Sequence, residues 1–396
     1  MITEVTLQEY GTFLEEQADY SFLQTPGIVE TIRANGYEVK LLANVVDEEI
    51  RAVGLAYTQK IFLGTRMDMM AGAVATSQDD ELSFYDALKT YCHHHRISQV
   101  IIQPDMDYCY YDLNMEPTSE PQQDKISMIE RLGYQHDESD ASILNGIPTY
   151  QYLKDLSPFN QDANALLKSF NKNSQRKIKK AMELGITVRQ IAYEEIPAFR
   201  EITTETAERQ GFKDKSLVYY QAMYQGLGDK VEFLQAELNL PHSMDQLTQK
   251  MAQLNPEKKQ DQQKIASLQS DIDAMQEVLD QPQLDIIPLA NMVMIYLPDQ
   301  ATYFLGGSLT EYQKFPAAFL LQYEAMKRTM ERHIPLYNFY GILGVFDGSD
   351  GVLRFKQNFN GYIVEKIGSF VYYPHPKRTK GLEKSKNIMN KILHRG

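Results

Sequence analysis

Apolar and polar positions along this chain alternate and regroup in the manner of an α/β protein. Spacings of three and four from Leu7 to Ala18 predict a short helix, and Ile28 to Asn35 predicts another, closed by Gly36. The runs YEVKLLANVV and IRAVGLAYTQKIF, joined by the acidic turn Asp47-Glu48-Glu49, predict a strand pair. Phe84 to His95 reads as an amphipathic helix, Gln99 to Ile102 as a strand stopped by Pro104, and Met128 to Leu132 as a helix end.

From Tyr150 the order of elements restarts. YQYLKDL is strand-like, Asp162 to Leu184 reads as one long helix closed by Gly185, and ITVRQI returns as a strand. Helices are predicted at Ile196 to Arg209 and Leu217 to Leu227, then strands at VEFLQAEL, IIPLANMVMIYL and ATYFLGGS. Phe315 to Arg332 is a further helix, LYNFYG a short strand, and GYIVEKIGSFVYY a single last strand. The halves share element order and no obvious residue repeat, which implies a duplicated α/β (α+β) fold.

One insertion has a different period. Leu240, Met244, Leu247, Met251 and Leu254 step by four and three, and so do Ile265, Leu268, Ile272, Met275 and Leu279 beyond Asn255-Pro256. That is the core spacing of an antiparallel coiled-coil hairpin with its turn at the Asn-Pro. The expected division is therefore 1–149 for the first unit, 150–238 with 283–376 for the second, 239–282 for the hairpin and 377–396 for a basic C-terminal helix or tail.

Charge changes this picture in one respect. The 396 residues carry 53 acids and 40 bases, a formal −13, which on average argues against a nucleic-acid partner. The bases are unevenly placed, however. Residues 168–180 hold six (Lys168, Lys172, Arg176, Lys177, Lys179, Lys180) and no acid, and residues 377–396 net +6 as well. The remainder of the chain stands at −25, so both segments are candidate phosphate binders. The hairpin, with seven acids and four bases, is not.

Two cysteines, Cys92 and Cys109, are too few for a disulfide framework or a zinc cage, and imply a reduced, cytoplasmic protein. Residues 1–30 lack the basic start of a signal peptide, and the longest apolar run, interrupted by Pro288 and Asn291, is too short to span a membrane. Cys92-His93-His94-His95 cannot converge on one ion, because consecutive helical residues point about 100° apart; no metal site is expected. No P-loop, nucleophile elbow or dinucleotide fingerprint is present. Arg51-Ala52-Val53-Gly54-Leu55-Ala56 has the letters of an acetyl-coenzyme A loop, but it lies inside a predicted strand with no free N–H row. The strongest chemical candidate is the Gly- and Phe-rich stretch around Lys356, where aromatic neighbours lower the dielectric around one ammonium.

These blocks resemble the Fem/MurM family of aminoacyl-tRNA-dependent peptidyltransferases. FNKNSQRKIKKAMELGI is similar to its basic helix, TAERQGFKDKSLVYYQAM to a helix pair, and YFLGGSLTEYQKFPAAFLLQYEAMKRTMERHIPLYNFYGI with GVLRFKQNFNGYIVEKIGSF to its most specific segments. The resemblance implies two tandem GNAT-like domains and the hairpin-bearing type of member. It implies transfer of Ser, Ala or Gly from aminoacyl-tRNA to a stem-peptide amine of the lipid-linked precursor, lipid II, with no cofactor beyond the charged tRNA. Peripheral contact with the inner membrane face and company with related bridge-building transferases follow from the same likeness. Phe355 and Lys356 match the family's active-site pair. Lys215 and Tyr219 match substrate-contacting positions. Arg33 is the nearest candidate for a second phosphate contact in the first domain, where this sequence departs from the shorter relatives, and the Gln103-Pro104 step, where those relatives carry an aspartate, adds Gln103 and Asp105. Lys172, Arg176, Lys179 and Lys180 are the implied tRNA or phosphate contacts. An aminoacyl-tRNA–protein transferase on the same fold, and a non-catalytic tRNA-binding scaffold, stay open at this point.

Overall fold

The computed structural model describes residues 1–62, 64–137, 147–211, 213–280 and 285–376, so the basic segment 377–396 lies outside the described residues. The strands of the first half are β1 (Ile2–Glu4), β2 (Glu38–Val46), β3 (Glu49–Ile61), β4 (Gly64–Ala71), β5 (Val74–Ala75), β6 (Gln99–Pro104), β7 (Asp107–Tyr111) and β8 (Gln135–Asp137). Those of the second are β9 (Tyr150–Asp155), β10 (Thr187–Gln190), β11 (Val231–Asn239), β12 (Ile286–Tyr296), β13 (Gln300–Ser308), β14 (Leu336–Ile342), β15 (Tyr362–Lys366) and β16 (Ser369–Tyr372). Two sheets result, in the orders β1-β2-β3-β4-β6-β16-β8 (with β5 beside β3) and β10-β11-β12-β13-β14-β9-β15-β7. Within each, one neighbouring pair is parallel: β4 with β6, and β13 with β14.

Local chemistry explains several of these elements. Asp47 and Glu48 both have positive φ, the turn that matches the twist of a two-residue hairpin, and they close β2 onto β3. Arg51 to Ala56 falls within β3, paired along its length with β2, which leaves no loop to cradle a pyrophosphate. The apolar run of β12 is buried from Leu289 to Leu297 because helices Ile196–Gln210 and Ala317–Glu331 pack against it.

Two expectations are corrected and one stretch gains an element. The predicted helix from Asp162 to Leu184 is two helices, Ala163–Ser169 and Lys172–Glu183. Phe170 turns extended to bury its ring, and the Asn171 side chain accepts from Ser174 N to start the second helix. The single last strand is likewise two, β15 in the second sheet and β16 in the first, parted at Gly368 with φ +81. The Gly- and Phe-rich stretch around Lys356, for which the spacing predicts no element, forms a short helix, Gly351–Gln357.

The sheets therefore exchange strands: β7 completes the second and β16 the first. Lys366 sits where the two crossings meet, 2.7 Å from both Asp105 and Asp107, and Ile367 N donates to Met106 O at 3.0 Å. Burial would lower the Lys366 ammonium, but the two carboxylates outweigh it and raise it.

One apolar core is continuous between the halves, joining Phe13, Phe22 and Tyr57 to Phe199, Tyr220 and Phe233. At its edge the chain near Gly27 touches helix Leu217–Leu227 backbone to backbone. A Cβ on Gly226 would lie 2.1 Å from Gly27 O, and one on Gly27 2.3 Å from Gly226 O. Gly226→Val should therefore destabilise the fold by about 3 kcal/mol, as overpacking against backbone does. Its denaturant midpoint should fall well below that of Gly211→Ala, where a Cβ meets nothing within 4 Å and only backbone strain is added; equal midpoints would contradict the contact.

Helices Leu240–Ala252 and Lys259–Leu279 occupy the expected insertion and pack on each other. Leu240, Leu247 and Met275 are buried, while Met244, Leu268, Ile272 and Leu279 pack half-buried on the second sheet's core. Ion pairs Lys180–Asp271 and Lys314–Glu277 fasten the returning helix to the body. Among the described residues no helix is long and apolar enough to cross a membrane.

Candidate active site

The second sheet opens where the first stays closed. In the first, β4 and β6 remain paired from Arg66 opposite Gln99 to Ala71 opposite Pro104. In the second, β13 and β14 pair only from Gln300 opposite Leu336 to Thr302 opposite Asn338. Beyond that point β14 shifts register against β9 between Asn338 and Gly341, and Tyr340 takes φ +65. A tyrosine in the left-handed region is uncommon and is held there by its surroundings. Phe22 and Phe304 pack against its ring, with centroids at 6.1 and 5.5 Å. Phe22 is supplied by the first half: buried Gln24, two residues on, bonds to Leu55 and Met70 of β3 and β4.

The irregular carbonyls of β14 are what Lys356 binds. Its Nζ donates to Tyr340 O at 3.1 Å and to Gly341 O at 2.5 Å, with only 4% of the residue exposed. An ammonium has three N–H donors, so one is left for a further acceptor. Burial pushes the Lys356 amine down to about 7, opposed by the Asp350 carboxylate. Asp350 also caps the lysine's helix, accepting from Val352 N and Leu353 N, and takes Leu343 N on its other oxygen. Phe355 points elsewhere on the helix, into an aromatic cluster with Phe319 and Phe359 at 5.1 and 5.5 Å. Its contacts anchor the helix that presents Lys356.

Several implied substrate positions gather near this opening. Lys215 and Tyr219 stand at the start of helix Leu217–Leu227, with Lys215 Nζ 5.4 Å from the Tyr219 ring centroid. Burial lowers the Lys215 ammonium, partly offset by Asp214. Burial raises the Tyr340 hydroxyl, and the charges of Tyr219 and Asp105 raise it further. Gln103 is buried at the end of β6. Asp105 is engaged by Lys366, a structural task at the strand exchange. Arg33 is exposed on helix Val29–Ala34, which packs against helix Leu217–Leu227, and pairs with Glu30 at 2.6 Å.

On helix Lys172–Glu183, Lys172, Arg176 and Lys179 are exposed along one stripe. Lys177 turns back over the Phe319 ring at 4.5 Å, and Lys180 is committed to Asp271 of the hairpin. The free cationic face is thus narrower than the run of bases implies.

Sequence reasoning passed over Tyr340, Phe304, Phe22, Asp350 and Asn358. Asp350 was findable, since an aspartate just before a short helical run is a capping signal. The others depend on tertiary approach and left no local pattern.

Comparison with known proteins agrees with this construction. The FemAB family model matches residues 5–384. Aminoacyltransferase FemA of Staphylococcus aureus (strain bovine RF122 / ET3-1) is 26% identical over 396 residues, covering 93% of this chain and 94% of its own. The crystal structure of FemX aligns with a TM-score of 0.74 at 21% identity, over 96% of this chain and 99% of that one. A conserved Bacteroides thetaiotaomicron protein of unknown function aligns at 0.52 and 10% identity. The fold is accordingly the expected two-sheet α/β architecture, shared along nearly its whole length with FemX. With a family match over nearly the whole length, the chain belongs to the FemAB family and is an aminoacyltransferase.

Proposed function

We propose that this enzyme transfers an aminoacyl group from aminoacyl-tRNA to an amine on the stem peptide of a lipid-linked peptidoglycan precursor, building the interpeptide bridge. The observation that carries the reading is Lys356: a buried ammonium, held by two carbonyls, with one donor spare beside an opening in the sheet. An ester on tRNA is already activated, so the reaction needs no nucleotide. The acceptor amine attacks the ester carbonyl, a C–N bond forms, and the carbonyl oxygen becomes an oxyanion. The spare N–H of Lys356 stabilises that charge in a site with little water to screen it. The C–O bond to the ribose then breaks, and the ribose oxygen leaves with the proton that the amine gives up. Lys215 and Tyr219 line the precursor's side of the opening, with Lys215 the partner for its phosphates. Lys172, Arg176 and Lys179 face the tRNA backbone.

The test is a transfer assay with tRNAs charged with Gly, Ala or Ser, offered either lipid-linked precursor or a model protein bearing a free N-terminus. The precursor's mass should grow by one residue of one of the three donors. Growth of the protein instead would assign the chain to protein tagging, and no product with any pair would overturn the reading.

A further inference from the structure

The helix that carries Lys356 and the helix that carries the exposed cations are joined end to end through one residue. Asn358 follows helix Gly351–Gln357, and its Nδ2 donates back to Arg354 O at 2.7 Å and Phe355 O at 3.1 Å. On the other side, its Oδ1 accepts from Asn171 Nδ2 at 3.1 Å and Asn173 Nδ2 at 3.0 Å. Its backbone carbonyl takes Asn171 N at 3.1 Å and the Ser174 hydroxyl at 2.9 Å. Asn171 is the cap of helix Lys172–Glu183, so the start of the cationic helix is built on Asn358. The contact reaches the cations themselves, because Arg176 donates to Asn173 Oδ1 at 3.3 Å. The loop beyond is pinned too: Asn360 Nδ2 donates to Ser169 O at 2.9 Å, and buried Lys154 to Asn360 O at 3.0 Å.

We infer that Asn358 is a positioning residue that fixes the distance between the cationic face of helix Lys172–Glu183 and Lys356. It thereby sets where the ester of a donor held on that face arrives. The inference rests on the tRNA reading of the face proposed above. A donor anchored by its RNA body reaches Lys356 through a rigid chain of contacts, Arg176 to Asn173 to Asn358 to the Phe355 carbonyl. A donor too short to touch the face has no use for that chain. Misplacement by about 1 Å can cost ~10²-fold in rate even when it originates away from the chemistry.

The experiment compares kcat for two donors bearing the same aminoacyl group, full-length charged tRNA and a short aminoacyl ester of the terminal CA dinucleotide. In the wild-type enzyme the full-length donor should be the faster. Asn358→Ala should lower the full-to-short ratio of kcat by ~10–10²-fold, while the Kd for uncharged tRNA holds at its wild-type value. Asn358→Asp keeps the acceptor oxygens toward Asn171 and Asn173 and should restore part of the ratio. Asn173→Ala, which leaves the Asn171 cap in place, should shift the ratio the same way by a smaller factor, and it decides the matter if Asn358→Ala does not fold. A ratio unchanged in Asn173→Ala, or an equal fall on both donors, overturns the inference and leaves the tRNA reading standing. A wild-type enzyme indifferent to the RNA body would overturn the tRNA reading itself, and this inference with it.

Discussion

Lys356→Met is expected to lower kcat by ~10²–10³-fold, the usual cost of removing one preorganised donor from a developing oxyanion. The KM for charged tRNA should change little, because the lost interaction forms only when charge appears on the carbonyl oxygen. Methionine keeps the unbranched stem that fills the site, so the fold should survive. The pH dependence has a definite sign. Burial holds the Lys356 amine near 7, below its ordinary 10.5. Its charged form, the one that stabilises an oxyanion, is therefore lost as pH rises through about 7, and kcat should fall on that side. A role as general base would make the rate rise instead. Stability runs the other way. The unfolded chain binds the proton more tightly, so between about 7 and 10.5 this lysine makes stability increase with pH. Below that window the full cost of burying an ammonium is present, and Lys356→Met should melt no lower than wild type at pH 6. A variant that keeps wild-type turnover removes Lys356 from the mechanism, and one that loses both turnover and its melting transition points to a structural role.

How much of this was legible in the sequence depended on whether the cause was local. The β2–β3 hairpin, the Leu217–Leu227 helix and the insertion helices follow from spacing and turn chemistry, and the structure holds them near the expected bounds. Resemblance singled out Phe355 and Lys356, but their structural setting was not legible. Nothing in YNFYGI indicates that Tyr340 adopts a left-handed backbone and aims its carbonyl at a lysine sixteen residues on. The strand exchange was equally hidden, because GYIVEKIGSFVYY has apolar residues on both sides of Glu365-Lys366 and of Gly368-Ser369, and only the position of its partners reveals the break at Gly368. Asp105 shows the same limit: its place beside Pro104 is local, but its ion pair with Lys366, distant in sequence, left no signal in the chain.

The second large effect concerns the cationic helix, and burial decides which of its bases should count. A count along residues 168–180 gives six positive charges of equal standing. The fold sorts them: Lys180 belongs to Asp271, Lys177 lies over Phe319, Lys168 is exposed on the preceding helix Ala163–Ser169, and Lys172, Arg176 and Lys179 are exposed together on one stripe. Each phosphate neutralised by such a group contributes ~0.7–0.9 to the slope of log affinity against log salt. Replacing Lys172, Arg176 and Lys179 together by alanine should therefore flatten the slope for tRNA binding by about 2 and weaken affinity ~10²-fold or more at low salt. Lys180→Ala should leave the slope nearly unchanged, because its charge is already matched inside the protein. Its effect should appear instead in the hairpin, as faster hydrogen exchange along Lys259–Leu279 where Asp271 loses its partner. The pair of variants separates two explanations of the basic run that net charge cannot. If bulk positive potential draws the RNA, Lys180→Ala should cost about a third of what the triple variant costs. If specific exposed groups meet specific phosphates, only the triple variant should move the salt slope. Equal slopes in wild type and triple variant would take this face out of RNA binding altogether.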